Sequence, residues 1–170
     1  MAMTNFEPRN PDYAELIRDS HDNTGFGKTL GASLTIIEPG YVEMELPFRP
    51  ELSQHHGFFQ GGVIGALADY VGGYATYTLI EENDSILTVE YKINMMAPGA
   101  GEKLIGKGTV LRAGRRVTIA RMDVYALQND GNEIHIAAAQ GTFMRMENKP
   151  DVAATIAKIQ KTKTQNISRY

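Results

Sequence analysis

Between Gly62 and Leu79 the chain runs through VIGALADYVGGYATYTL with no proline and one charged side chain, Asp69. Such a stretch predicts a helix buried on most of its circumference. Its surface is kept small by Gly65, Ala66, Ala68, Gly72, Gly73 and Ala75. A glycine inside a helix costs about 1 kcal/mol relative to alanine, so the helix must recover stability from other backbone packed closely against it. A sheet wrapped around the helix supplies that contact.

The flanking sequence contains the strands for such a sheet. Beyond the polar turn Glu81-Glu82-Asn83-Asp84, strand candidates run from Ile86 to Met96, Lys103 to Arg112, Arg116 to Gln128 and Glu133 to Met146. They exceed the usual five or six residues, and their short connections predict antiparallel neighbours. Upstream, alternation at Ala32, Leu34 and Ile36 and at Val42, Met44 and Leu46, around Glu38-Pro39-Gly40-Tyr41, reads as a hairpin. Tyr13, Leu16 and Ile17 share one face of a short helix over residues 12–20. The segment Pro50 to Gln60 reads as a loop with room for one helical turn. Ala153, Ile156 and Ile159 suggest a last short helix in the tail. The fold class is α+β, in one domain over residues 1–170; two domains would be cramped in 170 residues.

Composition removes several functions. A net charge of −3 argues against a nucleic-acid partner, and the absence of cysteine removes thiolate metal sites, disulfides and thiol nucleophiles. Carboxylate, histidine and hydroxyl chemistry remain. No run approaches the ~20 apolar residues of a membrane span, and MAMTNFEPRNPDY lacks a basic segment leading into an apolar one, so the expected location is cytoplasmic.

Asp69 is the most informative residue. It has no capping role and no obvious helical ion-pair partner. Buried, its carboxyl would hold its proton more tightly and suit a general base or nucleophile; alternatively it faces water or pairs with an arginine from the sheet. Gln60-Gly61-Gly62 opens the same helix, where backbone N–H groups are available to an oxyanion, although a glycine pair also serves a tight turn. Gly61 and Asp69 lie about 12 Å apart along one helix, too far to act on one carbonyl. Antiparallel helices across a two-fold axis would bring Gly61 of one chain near Asp69 of the other, so dimerisation becomes a condition of the chemistry.

HHGFFQGGVIGALADYVGGYAT, then LTVEYKINMMAPG and GKGTVLRAGRRVTIARMDVYA, resembles the PaaI-like hotdog thioesterases over roughly Gly31 to Met146. The resemblance implies a long central helix wrapped by a curved antiparallel sheet, and homodimers or tetramers built from dimers. It implies hydrolysis of an acyl-CoA to a carboxylic acid and CoA, with no cofactor beyond the CoA that the substrate carries. Asp69 matches the acid that attacks the carbonyl or activates water, and Gly61 the backbone donor that polarises it. Gln54 matches an Asn or Gln near the thioester, and Thr88 a Ser or Thr beside the acid. Gln60 stands where many relatives have His, so its role must be hydrogen bonding. With Gly62, His56 and Phe59 it is a candidate for substrate contact.

Arg115 and Arg116, by the Ala113-Gly114 turn, read either as a solvated hairpin end or, by resemblance, as contacts to the CoA nucleotide. His55 and His56 lack a third ligand at a recognisable spacing, so no metal site is expected; His135 is expected to be structural. Phe58 and Tyr74 are further candidates for an acyl pocket. The same fold also hosts hydroxyacyl-thioester dehydratases and could serve a non-catalytic acyl-CoA binder, and these are the alternative readings.

Overall fold

The computed structural model describes residues 6–152. In chain order the elements are α1 (Tyr13–Asn23), α2 (Gly25–Leu30), β1 (Ser33–Glu38), β2 (Tyr41–Pro47), a 3-10 turn (Pro50–Leu52), α3 (Gly61–Tyr77), β3 (Ser85–Met95), β4 (Lys103–Ala113), β5 (Val117–Leu127) and β6 (Glu133–Met146). The expected tail helix falls largely outside the described residues.

The strands form one antiparallel sheet in the order β1-β2-β4-β5-β6-β3. Their short turns make β4, β5 and β6 neighbours, as expected. β3 departs from that expectation. It pairs with β6, Thr88 opposite Phe143, and is separated from β4 by the full width of β5 and β6. The connecting segment is held in its crossing by Met96 and Ala97 N–H groups donating to Ile136 O, and by Phe59 N–H donating to Gly99 O. These partners are distant in sequence, so strand spacing could not reveal the order.

Helix α3 packs across β2, β4, β5 and β3. Its approach is as close as its small residues require: a methyl group on Gly72 would stand 2.7 Å from Phe143 Cζ, and one on Gly106 of β4 would stand 2.9 Å from Leu67 Cγ. A methyl on Gly108 would overlap the Val71 carbonyl. Leu67, Ala68, Val71 and Ala75 are fully buried together with Met44, Leu104, Met122 and Phe143 of the sheet. Glycines in both helix and strand thus let backbone meet backbone at the centre of the core.

Two features were not foreseen. α1 continues to Asn23, and a second short helix, α2, follows. The Arg49 guanidinium donates to Thr29 O and Leu30 O at 2.8 and 2.7 Å, satisfying the carbonyls at the end of α2, while Gly31 takes the left-handed conformation beyond it. His21 is buried, with Nε2 2.8 Å from Ala32 O, and fastens α1 to the start of the sheet.

β3 is an edge strand; Leu87 and Val89 near its start are each about half exposed, at 52 and 55%, and Glu90, Lys92 and Asn94 are exposed further along it. An edge strand with unpaired backbone groups is a surface that another strand can complete.

Candidate active site

Asp69 lies at the middle of α3 and faces an open cavity of about 490 Å³. Helical spacing puts Gly62, Ala66, Asp69 and Gly73 on its floor, and Thr88 of β3 stands on the strand side. Thr88 Oγ1 donates to Asp69 Oδ1 at 2.9 Å. Among the described residues no arginine or lysine pairs with Asp69. Burial pushes its carboxyl above the ordinary range, and the Thr88 hydrogen bond opposes this by stabilising the anion. The carboxyl is thus half-buried and opens onto the cavity, and the pairing with an arginine from the sheet is not found among the described residues.

Gln54, His56, Phe59, Gln60 and Gly61 line a second hollow, of about 590 Å³, with Met95 and Gly99 on its other side. Here Gln60 acts as the N-cap of α3: its Oε1 accepts from Gly61 N–H at 3.1 Å. The Gly61 N–H is therefore held by a side chain on an exposed surface. Gln54 Oε1 accepts from His56 N–H at 2.6 Å and shapes the turn at Gly57, leaving its amide NH₂ group for other partners. Phe59 is buried against Phe48 and packs in the core behind the hollow.

Within one chain the two groups remain apart. Gly62 belongs to the Asp69 cavity, whereas Gly61 belongs to the other hollow. Arg115 and Arg116 are exposed on the β4–β5 turn and line neither. Because Gly106 meets Leu67 and Gly108 meets Val71, β4 runs parallel to α3 and carries that turn to the C-terminal end of the helix, opposite Gly61.

His55 and His56 are exposed side by side, and among the described residues no three metal-ligating side chains converge. His135 lies with Nε2 2.9 Å from Asp123 Oδ1 and its ring stacked on Tyr125, away from both hollows.

Sequence reasoning missed several walls of the Asp69 cavity: Ser20 and Phe26 from the N-terminal helices, and Tyr70, Tyr77 and Tyr91 beside Tyr74. The spacing of Tyr70, Tyr74 and Tyr77 on one helical face was the available signal. Nothing in sequence placed α2 beside them.

This architecture, a long helix held in the curve of an antiparallel sheet, is the hotdog fold of thioester hydrolases. The family model described as the thioesterase superfamily matches residues 56–131, and the chain belongs to that superfamily. A thioesterase family protein from Silicibacter pomeroyi is 37% identical, with a TM-score of 0.77, over 79% of this chain and 98% of that one. The medium/long-chain acyl-CoA thioesterase YigI of Escherichia coli is 23% identical over 70% of this chain and 84% of its own length. The E. coli PaaI protein shares the fold at 17% identity, with a TM-score of 0.71 over 84% of this chain and 99% of that one. Among the described residues no helix is long and apolar enough to cross a membrane.

Proposed function

We propose that the protein hydrolyses acyl-CoA thioesters at sites shared between two copies of the chain, with no cofactor beyond the CoA that the substrate carries. The observation that carries this reading is the half-buried Asp69 carboxyl, held by Thr88 and raised in proton affinity, at the centre of a substrate-sized cavity. A carboxylate poised closer to neutrality is the better general base. The name of YigI supports the choice of acyl-CoA as substrate.

In this mechanism Asp69 takes a proton from water as the water oxygen attacks the thioester carbonyl. The carbonyl oxygen, now anionic, displaces Gln60 Oε1 from Gly61 N–H of the second chain. The tetrahedral intermediate collapses, the C–S bond breaks, and the proton held by Asp69 passes to the departing CoA sulfur. Thr88 keeps one carboxylate oxygen occupied so that the other faces water. The Gln54 amide and His56 flank the thioester, Gln60 and Gly62 bound its passage, and Phe59 backs the hollow. Arg115 and Arg116 meet the CoA phosphates. In an antiparallel pair of α3 helices, the C-terminal end that carries these arginines lies beside the partner's Gly61 end.

The free edge of β3 and the roughly 12 Å between Gly61 and Asp69 along α3 both favour a dimer. The test is complementation. Asp69→Asn and Gly61→Pro are each inactive alone, but mixed and reassociated they form hybrid dimers with one intact site, restoring about a quarter of wild-type activity per chain. No recovery in verified hybrids would sink the shared site.

A further inference from the structure

We propose, on the basis of that acyl-CoA reading, that the N-terminal helices form an acyl chamber that favours medium-length chains over long ones, with Phe26 as the specificity-determining residue. Beyond Asp69 the cavity runs toward the C-terminal end of α3. Tyr70, Tyr74 and Tyr77, four and three residues apart, form a continuous wall on one helical face. Phe26 of α2 extends that wall by stacking on Tyr70, with ring centroids 6.1 Å apart and planes at 9°. Ile86 of β3 completes the apolar lining.

Phe26 is an aromatic residue left 55% exposed, and an acyl chain lying along Tyr70 would cover it. Its position is fixed from behind. The His21 ring stands edge-on to both Tyr70 and Tyr74, at 6.0 and 5.9 Å, and is anchored to Ala32 O. Gly27 lets α2 approach: a methyl group there would stand 3.2 Å from His21 O and 3.4 Å from the Tyr70 hydroxyl.

The far end of the chamber is polar. Ser20 Oγ donates to Asp151 Oδ2 at 2.7 Å, and both residues line the cavity. Tyr77, 4% exposed, keeps a buried hydroxyl with no hydrogen-bond partner among the described residues. From Asp69 to Tyr77 the wall is about 12 Å long. A chain that stops within this length gains apolar contact throughout. A longer one presses methylene groups against a carboxylate and hydroxyls, or must push Phe26 aside, and both are unfavourable.

The experiment measures calorimetric affinity for non-hydrolysable S-butyl-, S-octyl- and S-hexadecyl-CoA in the wild type, Phe26→Ala and Phe26→Trp, each first checked for an unchanged melting temperature. The wild type is expected to bind S-octyl-CoA at least about tenfold more tightly than S-hexadecyl-CoA. Phe26→Ala should shrink or invert that ratio, and Phe26→Trp should widen it. Equal ratios in all three proteins, or a wild type that prefers the hexadecyl ligand, overturn the proposal. Turnover of octanoyl-CoA on the same samples separates the two ideas. Length-selective binding without turnover defeats hydrolysis and keeps the chamber; turnover with a flat length profile defeats the chamber alone.

Discussion

Thr88 Oγ1 donates a 2.9 Å hydrogen bond to Asp69 Oδ1, joining the edge strand β3 to the centre of α3. Because a hydroxyl donor stabilises the carboxylate over the acid, this bond restrains the rise that burial imposes on Asp69. Thr88→Val should therefore move the acidic limb of the rate profile toward alkaline pH, while Thr88→Ser leaves it near the wild-type position. The pH dependence of kcat/KM for the three proteins measures this. An unmoved limb in the valine variant would detach Thr88 from the acid.

Asp69→Asn should lower turnover by about 10²- to 10⁴-fold. The same substitution should not destabilise the protein at neutral pH. A carboxyl whose proton is held more tightly in the folded state than in the unfolded one makes stability fall as pH rises from the ordinary value of 3.8 through the raised one. Asparagine removes that loss, so the variant should melt above the wild type at neutral pH and lose its advantage below about pH 4. Thermal melts across that range carry the test, and a lower melting temperature at pH 7 would contradict the assigned burial.

Gly61 can be altered in two instructive ways. Gln60 has an extended backbone at φ −64° and ψ 138°, compatible with a following proline, and Gly61 is the first residue of α3, where proline is well tolerated. Gly61→Pro keeps the helix but deletes the N–H, and should cost about 10²- to 10³-fold in kcat. Gly61→Ala keeps the N–H and meets only Met95 Cε at 3.8 Å, so it should stay within a few-fold of wild type. Equal activity in both variants would remove Gly61 as the oxyanion donor.

Gly108→Ala tests the packing of helix on sheet. Its methyl would overlap the Val71 carbonyl, which is backbone in the middle of a buried helix and cannot turn aside. A loss of about 3 kcal/mol or more is expected, against little change for Gly62→Ala, whose methyl meets nothing within 4 Å. Denaturant titration of the two variants gives the comparison.

Val89→Lys places a charge on the free edge of β3, where Val89 is 55% exposed. If that edge joins two chains, the variant should sediment as a monomer and lose turnover, because Gly61 and Asp69 of one chain line separate hollows. An active monomer would overturn the shared site.

The sequence by itself determined the long helix and the long strands. A proline-free, nearly uncharged, glycine-rich helix can be stable only inside a sheet, and α3 is found there, starting at Gly61 and bearing Asp69. The long strands were legible from alternation and turn residues, which are local properties of the chain. Tertiary structure decided what depends on distant partners. β3 lies beside β6 because ladder bonds pair Ile86 with Arg145 and Thr88 with Phe143, a choice that turn length does not encode. α2 exists because Arg49, about twenty residues away, satisfies its last carbonyls, and the six-residue segment holds too few internal hydrogen bonds to signal a helix alone. Through α2, folding brought Phe26 onto Tyr70 and gave the Asp69 cavity a wall that no spacing in the sequence announced.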